Sequence, residues 1–253
     1  MKIIGFKIQN FKGLKDITVG KLSADDKNEP LTKLVAFIGE NGAGKTSILE
    51  AFNFLLDIFT WGSSSIPRAI NNRGGFINLY TQNALTPLCI RVCFGNKNNE
   101  FYIYELTISV EKIDNILTPV AHETLVNGTD NTEVDQPNRF LGKPLGDTLF
   151  KRTTLKCIDN PDFNLYFSRL NQLVTTYRQD IINGLQIFIT THNPILLDHL
   201  DPEEVWLLKK DKNGLISAIH VSDILHIKHM VNEGLILGGL WYSDYFSEEA
   251  DIE

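Results

Sequence analysis

One stretch limits what this chain can fold into more than any other. Leu34-Val35-Ala36-Phe37-Ile38 is a continuous apolar run, Gly39-Glu40-Asn41-Gly42-Ala43-Gly44-Lys45-Thr46 follows without a gap, and Ile48, Leu49, Phe52, Leu55, Leu56 and Phe59 then recur on one helical stripe. An unbroken apolar run suits a strand buried on both faces, as in the interior of a parallel sheet. The stripe predicts an amphipathic helix from Lys45 to Phe59. Between them, the residues fit G-x-x-x-x-G-K-[ST] at every fixed position. Glycines let the backbone curl until successive N–H groups point inward, and the helix that follows adds its positive end, which makes a concavity for phosphate. In this pattern the lysine reaches the β and γ phosphates and the Ser/Thr hydroxyl takes Mg²⁺. The expected cofactors are therefore ATP and Mg²⁺. The candidate binding residues are Gly39, Glu40, Asn41, Gly42, Ala43, Gly44, Lys45, Thr46 and Ser47, with Thr46 on the metal.

The rest of the chain reads as one α/β domain over residues 1–246. Met1 to Gln9 alternates apolar and polar and can pair with Asp16 to Leu22. Trp61 to Thr86, rich in Ser, Asn and Gly, predicts an irregular surface stretch. Leu88 to Phe94, Phe101 to Val110 and Thr118 to Val126 read as antiparallel strands, separated by turn residues such as Asn127-Gly128. Strands are predicted at 154–158, 185–190, 204–209 and 215–221, with helices at 164–182, 194–199 and 223–233. This alternation predicts one mostly parallel sheet, interrupted after its first helix by an antiparallel β lobe at 88–126. A polar loop follows over 127–148, and the acidic tail 247–253 reads as solubilising.

Charge and cysteine usage narrow the setting. Lys plus Arg number 24 and Asp plus Glu 31, a net charge of −7, which argues against a surface-wide footprint for nucleic acid. DNA contact is left to a basic N-terminal edge of Lys2, Lys7, Lys12, Lys15 and Lys21, a charge set that more often is a solvated face. The three cysteines (Cys89, Cys93, Cys157) show no metal-ligand spacing and fit a reduced cytoplasm. No apolar run reaches the roughly 18 residues of a membrane span, and the first residues read as a strand and not a signal peptide. A cytoplasmic protein is expected.

Ile8-Gln9-Asn10-Phe11-Lys12-Gly13, together with Gly39 to Thr46 and the following Ser47-Ile48-Leu49-Glu50-Ala51-Phe52, resembles the N-terminal half of ABC-type ATPase heads of the RecF, SMC and OLD group, including small bacterial AAA-labelled ATPases. The resemblance implies a P-loop NTPase fold and adds Lys12 to the nucleotide-binding set. Ile187-Phe188-Ile189-Thr190-Thr191-His192-Asn193-Pro194 resembles the family's switch strand, which implies that His192 senses the γ phosphate. Leu155-Lys156-Cys157-Ile158-Asp159-Asn160-Pro161-Asp162 resembles its Walker B strand. Asp159 would then hold Mg²⁺, and Asn160 stands where the family carries a water-polarising glutamate. An amide orients water but accepts no proton from it. Asp162 falls where the family often has a second glutamate, and Tyr166-Phe167 replace its usual histidine-proline. Gly238-Gly239-Leu240-Trp241 is similar to a tail of the small AAA-labelled members.

Two parts of the family pattern are reduced. The long helical arm is absent, and no Ser-Gly signature precedes Asp159; the nearest stretch, Leu145-Gly146-Asp147-Thr148-Leu149, leaves too little chain before Asp159 for a helix of several turns and a strand. The resemblance implies a nucleotide-gated module in DNA maintenance or defence against foreign DNA. Hydrolysis would be weak, or would depend on a partner that supplies the signature loop, and ATP would join two heads as a dimer. A non-hydrolysing regulatory or scaffold subunit holding an effector enzyme is the alternative, and an unrelated P-loop kinase a further one.

Overall fold

The structure is a computed structural model, and it describes residues 1–61, 66–81, 86–95, 100–113, 116–128, 132–133 and 154–246. It divides into two compact units, one formed by Met1–Leu31, Ser47–Thr154 and Gly214–Ile216, the other by Thr32–Thr46, Leu155–Asn213 and Ser217–Glu253. The candidate signature stretch 145–149 and the acidic tail 247–253 lie outside the described residues.

The first unit is built on strands β1 (Lys2–Phe11), β2 (Leu14–Gly20), β4 (Leu88–Gly95), β5 (Phe101–Ile113), β6 (Ile116–Asn127) and β7 (Thr132–Glu133), in the order β2-β1-β4-β5-β6-β7. Each of its pairings is antiparallel; Phe6 lies opposite Val19 on one side and Val92 on the other. Helix α1 (Lys45–Trp61) enters this unit from Ser47 onward. It lays its apolar stripe on the sheet: Phe52 meets Phe6 edge-on at 4.9 Å, Phe54 meets Phe11 at 6.0 Å, and Phe59 meets Tyr104 at 5.1 Å. Such aromatic pairs add roughly 0.5–1.5 kcal/mol each beyond the area they bury.

The stretch expected to be irregular is partly helical among its described residues. It contains helices α2 (Ile66–Asn71) and α3 (Phe76–Leu79), with Ile66, Ala69, Ile70 and Leu79 buried. It clasps the end of β1: Lys12 N–H donates to Leu79 O at 2.7 Å, Thr81 N–H to Asn10 O at 3.0 Å, and the buried Asn10 amide to Thr86 O at 2.9 Å and Pro87 O at 3.1 Å. Asn10 and Lys12 both take left-handed backbone (φ +57° and +44°), so the strand ends in a sharp turn that these bonds fix.

In the second unit, β3 (Leu34–Gly39), β8 (Leu155–Ile158), β9 (Gln186–Thr190), β10 (Val205–Lys210) and β11 (Ile216–His220) form a sheet in the order β11-β10-β3-β9-β8. The pairings β10–β3, β3–β9 and β9–β8 are parallel, and β3, central and buried at all six positions, is the strand that the unbroken apolar run predicted. Leu34, Ala36 and Ile38 pack in one core with Val174 and Tyr177 of α4 (Phe167–Ile182), Leu196 of α5 (Pro194–Leu197), Ile227 of α6 (Leu225–Asn232), and Leu237 and Leu240 of α7 (Leu237–Tyr242). Gly238 makes a close approach there, since a Cβ would stand 1.8 Å from Pro194 O.

The expectation of one mostly parallel sheet is thus corrected. There are two sheets, and the antiparallel one is more than a lobe at 88–126, since the N-terminal hairpin β1–β2 belongs to it. The reason lies in patterning. β1 alternates buried and half-buried positions over Phe6 to Gln9, which suits an antiparallel sheet with one more open face, whereas β3 is apolar throughout and needs cover on both faces. Within the expected 127–148 loop, β7 pairs with β6, and most of the remainder lies outside the described residues.

Candidate nucleotide-binding site

The glycine-rich turn runs from the last residue of β3 to the first turn of α1. Gly39 is required by a close approach. Its φ is +142°, and a Cβ would stand 2.3 Å from Leu208 O of the neighbouring β10. Gly42 and Gly44 take φ of +80° and +88°. Ala43 N–H closes the turn onto Glu40 O at 3.2 Å. Lys45 is buried, 6% exposed, and its ammonium donates to Gly39 O at 2.9 Å and Glu40 O at 2.8 Å. Burial lowers its pKa from the usual lysine value, and the Asp159 carboxylate pulls in the opposite direction. Glu40, Asn41, Gly42 and Thr46 are exposed, so the turn presents its rim to solvent.

Asp159 follows the last residue of β8 and meets this turn. Thr46 Oγ1 lies 3.2 and 3.1 Å from its two oxygens, and Thr190 Oγ1 donates to Oδ1 from the end of β9. Asn160 takes left-handed backbone, φ +43°, and its N–H donates to Thr190 Oγ1 at 3.0 Å. One residue along, Thr191 Oγ1 donates to Asp162 Oδ1 at 3.1 Å and accepts from Asn193 N–H at 2.9 Å. Asn193 Oδ1 in turn caps α5 by accepting from Ile195 N–H at 3.0 Å. His192 follows Thr191 with its ring exposed; the partial desolvation it does have and the Lys45 ammonium lower its pKa, against the pull of Asp162 and Asp159. The imidazole is therefore neutral at pH 7 and able to accept or donate a hydrogen bond.

Of the expected site residues, Gly39 to Thr46, Asp159, Asn160 and His192 all lie in the second unit. Ser47 and Lys12 lie in the first, where Ser47 Oγ donates to Lys12 O at 3.1 Å and the Lys12 ammonium pairs with Glu50. Sequence reasoning missed Thr190 and Thr191 as working parts. Both are fully buried, and their hydroxyls organise the two aspartates. The signal was a Thr-Thr pair at the polar end of an apolar strand. Among the described residues no group of three or more His, Cys, Asp and Glu is arranged as a metal site. A hydroxyl and a carboxylate side by side, Thr46 and Asp159, fit a hard cation such as Mg²⁺ that keeps waters and takes further oxygens from phosphate.

The basic N-terminal edge is partly engaged: Lys7 pairs with Asp16 at 3.3 Å, Lys12 pairs with Glu50, and Lys2 Nζ donates to Leu31 O at 3.0 Å. No helix among the described residues is long and apolar enough to cross a membrane.

Comparison with known proteins places the chain among ATPase-related sequences and folds. The chain is 32% identical over 112 residues to the DNA replication and repair protein RecF of Francisella tularensis subsp. novicida (strain U112), a match over 44% of this chain and 29% of that protein. RecF of F. tularensis subsp. tularensis (strain SCHU S4 / Schu 4) matches to the same extent. This chain thus aligns with less than a third of the length of these relatives. Among solved structures, an SMC head crystallised with the C-terminal winged-helix domain of ScpA superposes with a TM-score of 0.51, covering 87% of this chain and 97% of that one at 9% identity, a likeness of fold. Residues 1–139, more than half of the chain, match the family described as AAA ATPase domain. With a P-loop ATPase fold, partial homology to RecF and the fold of an SMC head, the chain belongs to the AAA ATPase domain family.

Proposed function

We propose that residues 1–246 act as one ATPase head that binds Mg-ATP through Gly39 to Thr46 and uses the bound nucleotide as a gate in DNA maintenance. The observation that carries this reading is the meeting of Lys45, Thr46, Asp159 and His192 at the ends of β3, β8 and β9, supported by the homology to RecF. When bound, Mg²⁺ neutralises charge on the β and γ phosphates. Lys45 and the loop N–H groups would hold phosphate oxygens, Thr46 and Asp159 would hold the metal, and neutral His192 would bond the γ phosphate. Hydrolysis is weak or completed by a partner, because Asn160 replaces the expected glutamate. Two heads, or a head and a partner that brings the signature loop, close on the nucleotide, and the protein works in the cytoplasm. The kinase alternative loses its footing with the family match.

A second reading rests on Asn160 alone: a subunit that binds ATP, does not turn it over, and holds an effector enzyme, including one that acts against foreign DNA. One set of measurements separates the two. Titration with a fluorescent ATP analogue in Mg²⁺ should show binding that Lys45→Ala weakens by about 10–100-fold, the loss expected for a charge-assisted contact of roughly 1.5–3 kcal/mol. Phosphate release and light scattering on the same protein then report turnover and nucleotide-dependent association. Binding unaffected by Lys45→Ala sinks both readings, and binding with no turnover under any condition favours the second.

A further inference from the structure

Position 160 explains itself by its backbone. At φ +43° asparagine is among the few residues tolerated, and its N–H is taken by Thr190. Nothing in that arrangement moves a proton. A carboxylate stands two residues on. Asp162 is half-buried, and its Oδ1 accepts from the fully buried Thr191, whose hydroxyl also accepts from Asn193 N–H. These bonds hold Asp162 to the same strand end that carries His192. Asp159, by contrast, is committed: Thr46 and Thr190 both bond it, in the position that suits the metal. Asp162 is thus tied to Thr191, the residue before His192, and its charge acts on that imidazole together with those of Lys45 and Asp159.

Building on the nucleotide-binding reading above, we infer that Asp162, and not residue 160, is the carboxylate that accepts the proton of the attacking water when this site hydrolyses ATP. The water oxygen bonds to the γ phosphorus, and the bond from that phosphorus to the β,γ-bridging oxygen breaks with its electron pair leaving on ADP. The water proton passes to an Asp162 oxygen and is later returned to solvent, so that ATP and water give ADP and inorganic phosphate. Thr191 is the positioning residue that keeps the carboxylate aimed.

The test is single-turnover phosphate release by the full chain, with the affinity for Mg²⁺ and a non-hydrolysable ATP analogue measured in parallel. General-base removal costs about 10²–10⁴-fold. Asp162→Asn should lose at least about 100-fold in rate with unchanged analogue affinity, and Asp162→Glu should keep the rate within about tenfold. A rate indifferent to Asp162→Asn overturns the inference, as does wild-type protein that binds the analogue and never releases phosphate. If Asp162→Asn fails to fold, equal loss in the well-folded Asp162→Glu also overturns it. Failure of the wild type to bind the analogue at all would instead defeat the nucleotide-binding reading itself.

Discussion

His192 sits where three charges meet, and its protonation is therefore a readout of the site. Partial desolvation and then the Lys45 ammonium lower its pKa below the ordinary 6.5, and Asp162 and Asp159 offset this only in part. The unfolded chain takes up this proton near pH 6.5, while the folded chain takes it up at lower pH. In the window between, the unfolded state binds more protons, so stability is full above about pH 6.5 and falls as the pH drops below it. His192→Gln should make that slope shallower. Urea midpoints at pH 5 and 7.5 for the two proteins check this, and equal slopes would contradict the assignment. At this scale the sequence was most legible where chemistry is local. Gly39, Lys45 and Thr46 are adjacent in a motif with one geometric solution. Thr190 and Thr191 were hidden because their roles exist only once β8 lies beside β9 and brings Asp159 and Asp162 within reach.

Among the elements, α4 is fastened to the turn before β10 by one arginine. Arg178 Nη2 donates to Glu204 Oε2 at 2.7 Å and Nη1 to Oε1, while Glu204 Oε2 accepts from Asp201 N–H at 3.1 Å. Glu204 is nearly buried, 7% exposed, so Arg178→Ala strands a carboxylate. The expected cost is about 1–3 kcal/mol. Arg178→Lys should recover only part of it, because the ammonium lacks the two-pronged fit. Chemical denaturation checks this, and a loss under about 0.5 kcal/mol would show the pair to be ornamental. Most helices and strands here were legible from their apolar spacing. Sheet membership was not, because it depends on distant partners: β1 alternates in a way that permits several neighbours, and only the register of Phe6 against Val92 reveals which sheet it joins. The 61–86 stretch misled because its polar composition masks four well-spaced buried residues, Ile66, Ala69, Ile70 and Leu79.

For the whole molecule, charge is the property that sets association with DNA. A net charge of −7, with Lys2, Lys7 and Lys12 already engaged, leaves little to release counterions from a duplex. The isolated chain should bind labelled duplex weakly, with affinity nearly flat between about 50 and 200 mM salt. A fall of about 10³-fold over that range, the mark of six or more phosphate contacts, would overturn this expectation. The seat of Gly39 has a consequence for biosynthesis. β3 is flanked by β9 and β10, and the loop's first glycine is shaped against Leu208. A chain emerging from the ribosome at about 5–20 residues per second therefore displays this apolar strand for roughly 7–30 seconds before either neighbour exists. The motif is translated early and its geometry arrives late, so chaperone capture of the nascent chain is expected to centre on Leu34 to Ile38.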